Sequence, residues 1–174
     1  MTDNREGLIV GWTGHRPDVF ADPAEARRAV YAAADAVLGR SGPCTFVCGG
    51  QRGVDQWATS AARRRGIPFR LVLPNPPRVF TAGWSRSDRM ALARLIGGAA
   101  SVETADEAGR LGPLAYDLRN ERVVRHADLL IAIWGGVRRG GTFHTLCAAR
   151  ERGIPVEEVR VAVRLDFDFG SRGV

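Results

Sequence analysis

The most constraining feature of this sequence is a strand, a glycine-rich loop and a helix that follow one another between residues 127 and 149. The run Leu129–Trp134 is continuously apolar, which is typical of a strand buried on both faces of a parallel sheet. A helical pattern with Leu146, Ala148 and Ala149 facing inward follows the loop. The loop between them contains Gly135, Gly136, Arg138, Arg139, Gly140 and Gly141.

This arrangement is typical of a phosphate-binding loop. Glycines allow positive φ angles and let the backbone approach a ligand closely. Free N–H groups and the helix dipole attract an anion to a helix N-terminus, and the two arginines add charge-assisted donors. We therefore expect the loop to hold a phosphate group, with a tight turn that binds nothing as the alternative.

Two further predicted strands also end in glycine turns. The strand at residues 7–12 runs into Thr13-Gly14-His15-Arg16-Pro17, and the strand at residues 45–48 runs into the Gly-Gly-Gln-Arg-Gly-Val-Asp segment at 49–55. Because the carboxyl ends of parallel strands meet at one edge of a sheet, all three glycine turns should share that edge. The sequence therefore predicts a ligand site there.

Strand and helix patterns alternate along the chain, which favours an α/β fold: a Rossmann-like three-layer sandwich with a mostly parallel sheet. The 174 residues fit a single domain, 1–174, with residues 1–6 and 166–174 expected to fray. The segment 74–83, rich in proline, is predicted to be irregular and to lie over the ligand edge, with Trp84 as a lid. A further helix is predicted to begin at Pro23 with Asp22 as its cap, and another to end at Arg65. The remaining predicted helices span residues 84–96 and 115–126. The remaining predicted strands span residues 68–73 and 99–102 and lie within residues 155–164.

Composition narrows the class of protein. The net charge of +6 is carried mostly by arginine and suits a phosphorylated or polyanionic partner, although a solvated basic surface gives the same composition. Cys44, Cys48 and Cys147 lack metal-binding spacing and are interpreted as reduced core residues of a cytoplasmic protein without a metal. No apolar stretch is long enough to span a bilayer, and residues 1–6 lack the apolar region of a signal peptide, so no membrane partner is expected.

Four segments in order resemble the SLOG superfamily, the Rossmann-like group that includes the Lonely Guy cytokinin-activating enzymes and the DNA-processing proteins of bacterial transformation. Residues 13–17 resemble the TGHRP opening of one branch, and residues 49–55 resemble a GGARGAD turn. Arg119-Asn120 with Ala127-Asp128 resembles an RN…AD segment, and residues 134–142 resemble a WDG…GGT loop. Together the resemblance spans residues 8 to 156.

The resemblance implies a pocket for a nucleotide or nucleotide-derived ligand, with phosphate on the last glycine loop, no required cofactor, and often a homodimer. Enzymes of the superfamily hydrolyse the N-glycosidic bond of nucleoside monophosphates with the glutamate of a PGGxGTxxE pattern. In this chain Thr145 stands at the position of that glutamate, and Gly135 stands where the WDG pattern has aspartate. A hydroxyl cannot replace a carboxylate that activates water or stabilises an oxocarbenium-like centre, so the resemblance supports the pocket rather than the hydrolysis.

Several candidate residues have two possible roles, one in ligand binding and one in the structure. His15 is expected to donate to a phosphate or base and Arg16 to pair with phosphate, or both stabilise the turn. Asp55 either caps a helix or accepts from a ribose hydroxyl. Arg119 and Asn120 join the site on the strength of the resemblance, and otherwise lie on a solvated helix face. The predicted ligand-binding residues are Gly14, His15, Arg16, Gly49, Gly50, Arg52, Gly53, Asp55, Arg119, Asn120, Gly135, Gly136, Arg138, Arg139, Gly140, Gly141 and Thr142.

No catalytic residue is assigned, and the weak candidates are Asp55, Asp117 and Glu121. Asp117 and Glu121 lie at i and i+4, which puts both carboxylates on one helix face. His144 is expected at the helix surface. Trp12 and Trp134 end two strands at the ligand edge, where they pack in the core or stack on a base.

Three functions follow from these observations. The first is binding of a nucleotide or nucleotide-derived ligand, as a sensor or binding domain. The second is an N-glycosidase that uses an unconventional carboxylate. The third is binding of single-stranded nucleic acid, which draws on the charge of +6 and would weaken steeply with salt.

Overall fold

The protein is described by a computed structural model that covers residues 7–167, so the expected fraying of residues 1–6 and 168–174 lies outside it. Six parallel strands form one sheet in the order β4-β3-β2-β1-β5-β6. The strands are β1 (Leu8–Gly14), β2 (Cys44–Cys48), β3 (Phe69–Leu73), β4 (Ser101–Thr104), β5 (Leu129–Trp134) and β6 (Val156–Arg160).

Helices connect the strands in sequence. The predicted cap of the first helix is confirmed, since the Asp22 side chain accepts a hydrogen bond from the Ala24 N–H at 2.8 Å and Pro23 occupies the first turn. The helices are α1 (Pro23–Ser41), α2 (Val54–Arg64), α3 (Pro77–Phe80), α4 (Arg86–Gly98), α5 (Leu114–His126) and α6 (Gly140–Glu151), with a 3₁₀ turn at Pro17–Val19.

The strand order places a topological switch point between β1 and β5. The chain first builds β1 to β4 outward in one direction, and α5 then crosses back so that β5 pairs with the other side of β1. Helices α1, α2 and α4 pack in one core cluster on one face, whereas α5 and α6 cover the other face. The expected three-layer α/β architecture is confirmed.

The central strands are apolar because both of their faces are covered. Every residue of β5 is buried, as its continuous apolar run predicts, and every residue of β2 is buried as well. Cys44 and Cys48 lie in this buried β2, whereas Cys147 is partly exposed on α6, so only two of the three cysteines are core residues.

The segment at 74–83 is not wholly irregular, which corrects the prediction. Pro77 begins the short helix α3, since its fixed φ angle fits the first turn of a helix. Phe80 is buried there against the rings of Trp84 and Tyr116, with centroids 4.8 and 6.1 Å away. The segment thus packs into the core at Pro74, Asn75, Phe80 and Thr81, whereas residues 77–79, 82 and 83 are exposed. Within residues 7–167 no helix has both the length and the apolar character needed to cross a membrane.

Candidate functional site

A cavity of about 480 Å³ opens at the carboxyl edge of the sheet, beside the switch point between β1 and β5. Its wall combines the turn after β1, the turn after β2, the first turns of α5 and the start of α6. Ligands of open α/β sheets bind at this place. The lining residues are Trp12, Thr13, Gly14, His15, Arg16, Val19, Gly49, Gln51, Asp55, Pro113, Tyr116, Asp117, Arg119, Asn120, Val123, Arg139, Gly140, Gly141, Thr142, His144, Thr145 and Phe167.

The N-terminal end of α6 lines the cavity. Arg139, Gly140, Gly141 and Thr142 line the wall, and no side chain caps this helix among the described residues. Gly140 has a φ of 82°, which favours glycine, and no atom lies within 4 Å of where a Cβ would stand. The backbone N–H groups of the first turn and the helix dipole therefore face the cavity with room for a ligand.

His15 connects the turn after β1 to the start of α6. Its side chain is 8% exposed, and its Nδ1 lies 3.4 Å from the Thr142 Oγ1. Burial lowers the pKa of His15 to about 4. The imidazole is therefore neutral at pH 7, so positive charge at this end of the cavity comes from arginines instead.

A buried ion pair forms another part of the wall. The Arg119 Nη1 lies 3.5 Å from the Asp55 Oδ2, with both side chains less than a tenth exposed. Burial raises the pKa of the Asp55 carboxyl, an effect that the nearby Arg119 guanidinium opposes. The pair joins α5 to the start of α2, which settles where the RN segment lies relative to the second glycine turn.

Backbone groups hold both partners of this pair. Arg119 donates from Nη1 to the Gly49 carbonyl at 2.5 Å and from Nε to the Asn120 Oδ1 at 2.8 Å. The Gln51 N–H donates to the Asp55 Oδ2 at 3.2 Å. These bonds fix the first turns of α5 against the turn after β2.

Two predicted glycines allow the wall to pack closely. A Cβ at Gly49 would overlap the Arg119 guanidinium and lie 2.7 Å from the Asp55 Oδ2. A Cβ at Gly14 would lie 2.5 Å from the Val54 Cγ2, where β1 meets the start of α2. Contacts this short are not made by real Cβ atoms, so both positions require glycine for packing within the protein.

Four of the predicted ligand-binding glycines lie outside the cavity wall. Gly50 and Gly53 have φ angles of 75° and 88°, and they face the Leu73 side chain and the His15 carbonyl. Gly135 and Gly136 back onto other parts of the chain, namely the side chains of Val163 and Arg160. Turn geometry and close packing account for all four.

Two predicted arginines and one carboxylate also lie outside the wall. The Arg52 guanidinium lies over the Trp84 ring, 5.4 Å from its centroid, and 3.5 Å from the Asp88 Oδ2. Arg138 lies over the Phe143 ring instead, 5.9 Å from its centroid. Glu121 is exposed and does not line the cavity, and no residue from 74 to 84 lines it either.

Of the three weak catalytic candidates, Asp117 is the exposed carboxylate in the wall. Its Oδ1 lies 4.0 Å from the His144 Nδ1, and His144, which is exposed on the helix surface as expected, also lines the cavity. Thr145 is 1% exposed, and its hydroxyl donates to the Gly141 carbonyl at 2.8 Å. That hydroxyl is committed to the α6 backbone and cannot serve as a general base.

Sequence reasoning missed several wall residues. Tyr116 and Val123 share a helix face with Arg119 and Asn120, since they stand three or four positions apart along α5. Helical spacing was the signal that would have found them. Gln51, Pro113 and Phe167 carried no such signal.

Within residues 7–167 no group of three or more histidine, cysteine, aspartate or glutamate residues is arranged to hold a metal.

The sequence matches no protein-family model and no curated protein. Solved structures do match. DNA processing protein A of Streptococcus pneumoniae shares 19% identity at a TM-score of 0.69, over 92% of this chain and 52% of that protein. DNA processing protein A of Helicobacter pylori, whose structure was described for its single-stranded DNA binding mode, is also similar. It shares 15% identity at a TM-score of 0.67, over 92% of this chain and 68% of that protein.

A third similar structure is the molybdenum cofactor carrier protein of Chlamydomonas reinhardtii, at 18% identity and a TM-score of 0.57, over 87% of this chain and 76% of that one. Compared with the first of these structures, this chain spans about half the length of the Streptococcus pneumoniae protein. At such identities the likeness concerns the fold. The chain therefore has the Rossmann-like α/β fold of these structures.

Proposed function

We propose that this chain binds a nucleotide or a nucleotide-derived phosphorylated ligand in the cavity at the carboxyl edge of the sheet. The observation that carries the proposal is that the uncapped start of α6 and two arginines from separate turns, Arg16 and Arg139, line one cavity. Backbone N–H groups and guanidinium groups are the donors that bind phosphate best. The volume of about 480 Å³ lies in the range of small-molecule sites.

The charges of the wall favour an anionic ligand. Arg119 is already paired with Asp55, so this buried pair adds little net charge. Arg16 lies 3.7 Å from Asp18, whose side chain is 53% exposed, and this loose surface pair leaves the guanidinium ready to bind phosphate.

Aromatic residues supply a surface for a base. Tyr116 and Trp12 both line the cavity. Tyr116 is the more accessible of the two rings, since Trp12 is 1% exposed and its Nε1 is buried without a hydrogen-bond partner within residues 7–167. Phosphate at α6 and base toward these rings is the orientation that we propose.

The proposal is tested by calorimetric titration of the 174-residue chain with nucleoside mono-, di- and triphosphates. Arg139→Gln should weaken the best ligand by about 10-fold or more, because a charge-assisted hydrogen bond contributes about 1.5–3 kcal/mol. Arg152→Gln is the matched control, since Arg152 is exposed at the far end of α6. Equal effects of the two substitutions, or no binding of any nucleotide, would overturn the proposal.

A second candidate function is hydrolysis of an N-glycosidic bond. It is favoured by Asp117, an exposed carboxylate of the cavity wall beside His144. Chromatography of the nucleotides after long incubation would then detect free base, and Asp117→Asn would abolish its release. Intact nucleotides in a sample that still binds them would leave binding alone.

Single-stranded nucleic acid is a further ligand class for the same edge of the sheet. It is favoured by the net charge of +6 and by the likeness to the Helicobacter pylori protein, whose structure concerns single-stranded DNA binding. This function predicts an affinity that falls steeply with salt, since phosphate contacts release counterions. An oligonucleotide that fails to compete with the best nucleotide ligand would rule it out for this cavity.

A further inference from the structure

A second cavity, of about 460 Å³, lies on the outer surface of the helix layer that covers one face of the sheet. Helix α2 packs between α1 and α4, and residues of all three helices line the cavity. No residue lines both this cavity and the one at the carboxyl edge. We call it the arginine groove, after the four arginines in its wall, Arg27, Arg63, Arg64 and Arg94.

The four arginines of the groove carry charge that the protein does not balance. The wall contains no aspartate or glutamate, and within residues 7–167 none of the four forms an ion pair. Three carboxylates on α1, at its N-cap and on α4 are paired with other arginines. These pairs are Asp22 with Arg28, Asp35 with Arg65, and Asp88 with Arg52.

Tyr31 gathers part of this charge at one place. The guanidinium carbons of Arg27 on α1 and Arg64 on α2 lie 5.6 and 5.7 Å from its ring centroid. Arg65, which is paired with Asp35, lies 5.3 Å from the same centroid. Cation–π attraction to one ring gathers these guanidinium groups, although their like charges repel one another. An anion bound between them would relieve that repulsion.

The remaining wall residues suit a phosphorylated ligand. Gln56 and Ser60 of α2 supply neutral hydrogen-bonding groups between the arginines. Guanidinium groups match phosphate oxygens with two parallel hydrogen bonds, which favours phosphate over a compact anion. Four arginines spread over three helices suit a ligand that carries more than one phosphate group.

We infer that the arginine groove binds a ligand with several adjacent phosphate groups. This chemistry is shared by the backbone of single-stranded nucleic acid and by a free oligophosphate. The groove is separate from the proposed nucleotide cavity, so either site can fail without the other.

The test measures binding of a fluorescein-labelled 20-nucleotide oligothymidylate by anisotropy, and binding of inorganic tripolyphosphate by calorimetry. The groove variant is Arg63→Gln with Arg94→Gln, both exposed residues whose replacement leaves the fold intact. The matched control is Arg125→Gln with Arg152→Gln, which removes the same charge near the ends of α5 and α6 on the opposite face. Melting curves verify folding, and the single substitutions repeat the comparison if the double variant melts early.

The groove variant should bind at least one probe about 10-fold more weakly or worse, whereas the control changes by less than about 2-fold. For the oligonucleotide, the slope of log affinity against log salt should become shallower by about 1.4, at about 0.7 for each lost phosphate contact. Groove-dependent binding of tripolyphosphate identifies a free oligophosphate as sufficient, and groove-dependent binding of the oligonucleotide alone identifies the nucleic-acid backbone.

Three results would overturn the inference. The first is equal weakening by the groove and control variants, which indicates general surface charge. The second is binding that only Arg16→Gln weakens, which assigns the oligonucleotide to the carboxyl-edge cavity. The third is binding of neither probe at low salt.

Discussion

Replacing Arg119 by methionine should destabilise the protein far more than replacing an exposed arginine. The substitution leaves the Asp55 carboxyl buried without its cation and removes the hydrogen bond to the Gly49 carbonyl. Breaking a buried ion pair from one side costs about 3–5 kcal/mol. Both side chains are less than a tenth exposed, so solvent screening reduces this little.

The assay is urea unfolding at pH 7 and 25 °C, supported by thermal melts. A loss of this size should lower the Tm by about 6–20 °C, at about 2–4 °C per kcal/mol for a chain of this length. Arg40→Met is the control, because the Arg40 pair with Glu157 is nearly half exposed and should contribute less than about 1 kcal/mol.

The double variant Asp55→Asn with Arg119→Met separates the pair from other losses. Removing both charges leaves no uncompensated carboxylate, so it should cost less than Arg119→Met alone. The reasoning is refuted if Arg119→Met costs no more than Arg40→Met. It is also refuted if the double variant loses the sum of the two single losses.

Three further predictions test other parts of the structure. Burial lowers the pKa of His15 from 6.5 to about 4, so the unfolded chain binds the proton at a higher pH than the folded chain does. The free energy of unfolding should therefore fall by about 3 kcal/mol as the pH drops from 6.5 to 4. His15→Asn should flatten that part of the pH profile in urea titrations, and an unchanged slope would contradict the assignment. Tyr31→Phe removes a buried hydroxyl that has no hydrogen-bond partner among residues 7–167, so the free energy of unfolding should stay level or rise by about 1 kcal/mol. A fall of more than about 1 kcal/mol would contradict this prediction. Gly49→Ala should lower the free energy of unfolding by about 1–3 kcal/mol, because the new Cβ overlaps Arg119. Gly39→Ala in α1, where a Cβ meets open space, should raise it by about 0.5–1 kcal/mol. Similar shifts in Tm for the two variants would contradict this explanation.

Much of the fold followed from local patterns. The apolar run of β5 gave the bounds of that strand, and the Asp22-Pro23 pair gave the start of α1. Buried parallel strands and N-caps have such signals because burial and capping depend on neighbours in sequence. The segment at 74–83 was wrong because Pro77 breaks a helix interior yet fits a first turn.

The candidate site was harder to predict, because a loop glycine has several uses. Gly49 makes room for an arginine 70 residues away, and Gly135 packs against Val163 near the end of the described chain. Sequence alone does not distinguish these uses from close approach to a ligand. Arg119 entered the site through the resemblance, since its contact with the second glycine turn depends on how α5 crosses the sheet.

The most direct test of the central claim is calorimetric titration of the 174-residue chain with the nucleotide series, repeated on Arg16→Gln, Arg139→Gln and Arg152→Gln. The account predicts that at least one nucleotide binds at a single site. Its affinity should fall about 10-fold or more in the first two variants and stay unchanged in the third. Absence of binding by every nucleotide, or binding that none of the three substitutions affects, would contradict the account.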